Sequence, residues 1–309
     1  MGSGFKNSSL TDRTDKKSDF AFIRVIRAIR ESLVFLVFSV LVSACLPDPL
    51  EINTIPQLES KIVVSSQMIP DFAVAVLLTK SVGALDASDN SDPQALINQI
   101  LIADASVSIQ SKNTTHRLQY VGNGVYGVIG ANLIAGESYT LYVNSPSMGS
   151  IQATTTVKPL VQFQDVKASL YITGRDTLAQ VDYTLKDPAG KNWYMMNAQH
   201  VSQKNLEERI LNPWISTKLV DDAEFEGGTK RDYFRLLFDE VEEGDTLAVL
   251  LSNIDKDYYD FMKIREDTRF GLASYLGEPI NYPTNIEGGL GFFNLYVPDV
   301  RVFILNSED

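Results

Sequence analysis

One cysteine, two histidines and two tryptophans in 309 residues leave little material for several kinds of chemistry. A lone cysteine permits no disulfide within the chain, so the body must be held by packed cores rather than bridges. His116 and His200 are far apart and fall on different expected domains, so neither imidazole has an obvious nucleophile beside it, and no G-x-S-x-G elbow occurs. Two separated histidines also make no compact zinc ligand set. These lacks disfavour a hydrolase, and no catalytic residue is assigned. Basic charge is short as well, with 27 Lys+Arg against 39 Asp+Glu and a net charge of −12. Such acidity disfavours nucleic acid and anionic membrane, both of which attract basic patches. No apolar run reaches the ~20 residues that a membrane-spanning helix needs.

What is present begins with one apolar stretch, Ser32–Cys45, reading S-L-V-F-L-V-F-S-V-L-V-S-A-C. Arg24, Arg27 and Arg30 precede it, and small residues and the only cysteine close it. A positive flank, a short apolar core and a small-residue exit are the parts of a secretory signal peptide. The exit Val42-Ser43-Ala44-Cys45 resembles a bacterial lipobox, although Val42 stands where leucine is commonest and Glu31 sets a negative charge against the apolar core. The expectation is a signal peptide over residues 1–44 and a diacylglycerol-modified Cys45 at the new N-terminus. The leader is long ahead of its apolar core, which points to a translation start downstream of Met1. Seven of the basic and four of the acidic groups lie in it, leaving 20 against 35 and a net charge of −15 beyond it. Residues 45–59, with three prolines and no periodicity, read as a tether.

Beyond Ser60 the texture is short β-branched and aromatic runs between turn signals. Lys61–Ser65, Phe72–Leu78, Ala105–Gln110, Arg117–Val121, Tyr139–Val143 and Ile151–Val157 read as strands, with a short helical turn near Gln94–Ile102. Strands at such spacing predict an all-β fold whose residues 60–158 form an immunoglobulin-like or transthyretin-like β-sandwich. Lys158-Pro159 is the expected joint to a second, mostly-β domain over residues 159–309 with one helix. Its strands are expected at Val161–Ile172, Leu178–Leu185, Trp193–His200 and Thr246–Ile254, with an irregular stretch before the last. Tyr258, Phe261, Met262 and Arg265 recur at helical spacing in Asp257–Phe270, which predicts a helix with an apolar stripe. Leu290–Tyr296 and Val300–Leu305 read as a closing pair of strands.

Candidate ligand sites are few. Asp86, Ser88, Asp89, Asn90 and Asp92 gather hard oxygen ligands in one loop, but the Gly and terminal Glu of an EF-hand are missing. The reading is an acidic solvated loop, with calcium at Asp86, Asp89 and Asp92 as the alternative. Asp221-Asp222-Ala223-Glu224 is a second such cluster. Trp193 and Trp214 stand among a group of aromatics in the second half, and exposed rings of this kind can meet sugars or protein partners. They are the candidate ligand contacts.

Three further segments carry a family resemblance. Pro279-Ile280-Asn281-Tyr282-Pro283-Thr284-Asn285-Ile286-Glu287-Gly288-Gly289-Leu290-Gly291-Phe292-Phe293 resembles the N-I-x-G-G-x-G-x-F signature of a Bacteroidota lipoprotein family catalogued as domain of unknown function four-two-four-nine. Asp222-Ala223-Glu224-Phe225-Glu226-Gly227 is similar to its D-x-x-F-x-G element, and Lys61–Ser65 to its opening strand, although that strand usually reads L-V-V-E-G. The resemblance covers nearly all of Leu46–Asp309. It implies an outer-membrane lipoprotein, on the periplasmic or the cell-surface face, whose partner is a TonB-dependent transporter. It brings no catalytic residues. The expected role is binding or scaffolding as an accessory to uptake, with a stand-alone adhesion or glycan-binding module as the alternative. The Gly-rich string reads as a tight turn leading Phe292-Phe293 into the core, since a phosphate loop would need a helix after it.

Overall fold

The computed structural model describes Arg30 and residues 59–69, 73–82, 98–174, 176–201, 216–236, 241–269 and 281–306. Cys45, the tether, the Asp86–Asp92 loop and Trp214 lie outside the described residues. Residues Gln57–Asp309 form one compact unit. It is mostly β, with sixteen strands in three sheets and one long helix among the described residues.

The first sheet holds nine strands. β1 (Ile62–Ile69), β2 (Ala73–Lys80), β3 (Ser106–Gln110), β4 (Thr115–Gly122), β5 (Val125–Val128), β6 (Ser138–Ser145) and β7 (Gly149–Thr156) come from its early part. β14 (Ile286–Glu287) and β15 (Leu290–Phe292) come from near the end of the chain. The spatial order is β14-β7-β6-β3-β4-β5-β2-β1-β15. Alternation shapes these strands: in β6, Tyr139, Leu141 and Val143 are buried, while Ser138, Tyr142 and Asn144 are exposed. β4 changes partner along its length, with Thr115–Leu118 against β3 and Gln119–Gly122 against β5, and a register shift after Tyr120. A strand shared between two pairings in this way is how sandwiches turn a corner.

Two short strands of the Gly-rich string join the ends of this sheet. β14 pairs with β7, and β15 pairs with β1 in parallel, setting Val63 against Leu290, Val64 against Gly291 and Ser65 against Phe292. The expected closing pair is therefore not a pair. β15 belongs to the first sheet, whereas β16 (Asp299–Ile304) pairs with β13 (Thr246–Ile254) in another. Phe293–Tyr296 stay buried but leave the ladder, because the Asn294 N–H donates to the Ser66 hydroxyl instead (2.8 Å).

The remaining strands make a four-stranded sheet, β11 (Thr217–Asp221), β10 (Trp193–His200), β13 and β16 in that order. A three-stranded sheet has the order β12 (Thr229–Leu236), β9 (Asp176–Lys186), β8 (Phe163–Thr173). β13 is buried from Leu247 to Ile254 because both its faces are covered, which explains why it is the most apolar stretch of this half. β10 is shared in the same way. Met195 joins the core under the first sheet, and Tyr194, Met196 and Ala198 join a second core with β8 and β9. Each fully buried Leu or Val there contributes roughly 1.5–3 kcal/mol. The helix α1 (Lys256–Arg269) buries Tyr258 and Met262, as its spacing predicts, and Tyr259 as well, against the first core. Asp255 accepts the first helical N–H from Tyr259 (2.9 Å) and pairs with Lys158 (2.9 Å) near the expected joint.

Candidate functional site

The outer face of the first sheet forms an open groove of about 1000 Å³. Register explains its lining. Glu287 lies opposite Gln152, Gln152 opposite Tyr142, Tyr142 opposite Ser108, and Ser108 opposite Arg117. One row thus crosses five strands, from an acid on β14 to a base on β4, with a tyrosine near its middle. Asn144, flanked by Ser106 and Ser150, forms the next row. Tyr120 lines the end of the groove where β4 has turned to β5, with its ring 5.3 Å from that of buried Tyr126. Beneath the outward side chains, Val107, Ile109, Leu141, Val143 and Ile151 seal the core side of the same strands.

The groove is hydrogen-bonding material. The Gln152 amide donates to Glu287 (2.6 Å), which ties β7 to β14 at one rim. Among the described residues, the side chains of Arg117, Gln119 and Asn144 have no hydrogen-bond or ion-pair partner, so their donors and acceptors face solvent. Tyr120 and Tyr142 are 48% and 42% exposed, so each ring keeps an open surface. None of these groove residues stands out in the sequence, because a polar half-strand reads as ordinary solvent-facing surface. The available signal is Tyr142, a lone large ring among the outward Ser, Thr and Asn of β6.

The sequence-predicted sites that the structure describes land elsewhere. Trp193 is half-buried at the start of β10, packs against the first core, and has the Lys191 amine 5.9 Å from its ring centre. It lies outside the groove. Asp222 is fully buried. Its Oδ2 accepts the Asn192 N–H (2.5 Å) and its Oδ1 pairs with Lys191, whose ammonium is held above its usual pKa by that hydrogen bond. Nearby Asp187, also buried, accepts from the Gly227 N–H (2.7 Å) and from the Tyr194 hydroxyl. Burial, and then the Asp187 hydrogen bond, push that phenol far above its ordinary pKa. The D-x-x-F-x-G element is thus a structural knot that fastens the β9–β10 turn to the β11–β12 turn. Among the described residues, no three of His, Cys, Asp and Glu gather closely enough to hold a metal ion. His116 and His200 sit on β4 and β10, and His200 pairs with Asp245 at 3.3 Å.

The Gly-rich string is built for close approach. A Cβ at Gly291 would stand 2.0 Å from the Val64 carbonyl oxygen, and one at Gly289 would stand 2.7 Å from that of Ile62. Asn285 clamps the backbone that follows, accepting the Phe293 N–H (2.9 Å) and donating to the Phe293 carbonyl (2.7 Å). Asn294 completes the stitch: its carbonyl accepts from Ser66 of β1 (2.9 Å), and its side-chain oxygen accepts from Thr155 of β7 (3.0 Å). The string therefore holds both ends of the sheet that carries the groove.

A protein-family model described as domain of unknown function (DUF4249) matches residues 47–300. No curated protein matches the chain. Among solved structures, a two-domain fibronectin type-III segment of chicken tenascin is similar at 11% identity and a TM-score of 0.20. The match covers 80% of this chain and 99% of that one. At that score the likeness carries no topology over.

Proposed function

The chain belongs to the family described as domain of unknown function (DUF4249), and on that premise we propose that it is a lipid-anchored, non-enzymatic binding protein of a bacterial outer membrane. In this reading Cys45 carries the lipid, and residues 46–59 hold the body off the bilayer. A sandwich of immunoglobulin or transthyretin type, built on residues 60–158 and completed by β14 and β15, displays the binding surface. The second domain, over residues 159–309, braces it, and its helix α1 packs against the first core. The partner is a TonB-dependent transporter of a Bacteroidota cell, to which the protein supplies a captured ligand.

The observation that carries this reading is the groove. An open, polar concavity on the outer face of a sheet, with hydroxyls, amides and two half-exposed rings, suits holding a ligand reversibly. The position of the Ser32–Cys45 run, directly ahead of a proline-rich stretch, supports the anchor. The test is expression of the tagged full-length chain in a Bacteroidota host, with and without Cys45→Ala. The wild type is expected in the outer-membrane fraction, co-purifying with a β-barrel transporter, and the variant is expected to lose the membrane association. A wild type that stays soluble and unacylated overturns the anchor. A membrane-bound protein that retains no barrel overturns the uptake role and leaves a stand-alone adhesion module.

A further inference from the structure

We propose that the groove on the outer face of the first sheet binds a neutral oligosaccharide, with Tyr142 as its stacking platform and Arg117, Gln119 and Asn144 as its hydroxyl-binding groups. The inference rests on the reading of this protein as a binding module, and it adds the ligand's chemical class and the residues that recognise it.

Four features of the groove select this class. The first is its lining. Outward positions of β3, β6 and β7 are Ser, Gln, Asn and Thr, interrupted by Tyr142 alone, so there is no apolar floor for a lipid chain. The second is charge. Arg117 and Glu287 stand at opposite ends of the five-strand row and balance each other, so the groove favours neither sign, and the −12 of the whole chain opposes a polyanion. The third is the pairing at the centre of the groove. β3 from Val107 to Gln110 and β6 from Thr140 to Asn144 are paired on both sides, so an extended peptide finds unpaired backbone only at the rims, along Thr115–Leu118 of β4 and on β7 beyond Gln152 and Ala153. Recognition is left to side chains, which suits a polymer that presents hydroxyls and flat C–H faces. The fourth is the rings. Tyrosine offers an apolar face beside a polar tip, and a half-exposed ring among amides and hydroxyls provides both contacts a pyranose makes. Five strands at ~4.8 Å spacing give the row a span of roughly 19 Å, the reach of a short oligosaccharide.

The groups are also ready to act. Gln152 is already held by Glu287, which fixes that rim, while the side chains of Arg117, Gln119 and Asn144 have no partner among the described residues. Binding would therefore form hydrogen bonds without breaking internal ones, and the cost of orienting the face is largely met by the completed ladders beneath it.

The test is calorimetric titration of the full mature protein with neutral hexasaccharides of α-glucan, β-glucan, xylan and mannan, alongside a neutral unstructured peptide as an alternative occupant. At least one sugar is expected to bind, and Tyr142→Ala is expected to weaken it about tenfold or more. Asn144→Ala and Arg117→Ala should weaken it as well, and Tyr233→Ala, an exposed ring on β12 outside the groove, should leave it unchanged. All these side chains are at the surface, and a melting curve for each variant identifies any that fails to fold. Binding of none of the sugars, binding that survives Tyr142→Ala, or binding of the peptide in their place would each overturn the inference. A Tyr142→Ala protein that still co-purifies with its barrel separates failure here from failure of the uptake role.

Discussion

Replacing Gly291 with alanine isolates the step by which the end of the chain closes the first sheet, and Gly149→Ala is its control. Both glycines have nearly the same positive φ, +88° and +85°, so alanine meets the same left-handed penalty of about 1–2 kcal/mol at each. The unfolded chain stiffens equally in both, which offsets about 0.4–1 kcal/mol. They differ in space. A Cβ at Gly149 meets nothing within 4 Å, whereas at Gly291 it lies 2.0 Å from the Val64 oxygen and 2.9 Å from the Val64 nitrogen. Both of those atoms are backbone, so β15 must move off β1. Loss of two ladder hydrogen bonds costs about 2 kcal/mol, and loosening of Phe292, 5% exposed, adds about 1–2 kcal/mol. The expected cost is about 1 kcal/mol for Gly149→Ala and about 4–5 kcal/mol for Gly291→Ala. At ~2–4 °C per kcal/mol for a body of this size, the melting temperatures fall by roughly 2–4 °C and roughly 8–20 °C. Urea unfolding gives the same comparison through the midpoint at constant m. Equal shifts in the two variants would show that the close approach to β1 is not what requires glycine there.

Three further outcomes follow from side-chain contacts to the backbone. Asp222→Ala should cost about 2–4 kcal/mol, since it removes a fully buried carboxylate and leaves the part-buried Asn192 N–H without its acceptor, while exposed Asp221→Ala should cost no more than about 1 kcal/mol; urea midpoints decide, and equal costs sink the knot. Asn285→Ala should speed hydrogen exchange at the Phe293 amide and cost about 2 kcal/mol, with an unchanged exchange rate counting against the clamp. The Ser145 and Ser147 hydroxyls, and the Ser147 N–H, hold the Asp104 carboxyl below its usual 3.8. Its contribution is therefore present above pH 3.8 and is lost as pH falls through the lower folded value. Asp104→Asn should be less stable than wild type at pH 7, with the gap closing between pH 5 and pH 2; a gap that stays constant refutes the assignment.

Legibility in the sequence followed burial on one face. β6 and β7 alternate cleanly because one side is core and the other water, and α1 shows its stripe for the same reason. β11 and β12 escape a periodicity reading because they are sheet edges. In β12 the inward positions include Lys230 and Asp232, the latter paired with Lys218 at 2.6 Å, so charge stands where apolar residues would mark a strand. The Gly-rich turn was legible from its glycines. Its partners were not, since nothing local links Gly291 to Val64. The groove was hidden for a related reason. Glu287 and Gln152 meet across 135 residues, and only the register of β14 on β7 makes them neighbours. Trp193 and Trp214 attracted attention by residue type, but type does not report facing, and Trp193 is turned toward the core.

The late arrival of β14 and β15 has a consequence in time. A ribosome makes β1 and β7 early, yet the strands that cover their open edges are among the last to emerge. At ~5–20 residues per second, the stretch from Thr156 to Ile286 takes roughly 6 to 26 s to appear. Throughout that interval the sheet has two unpaired margins, which are the usual templates for pairing with a neighbouring chain. A chaperone that guards those margins, or transport that keeps the chain extended until it is complete, would matter more to yield than any single core residue. Shortening the chain before Ile286 should give a product that aggregates rather than a smaller working domain.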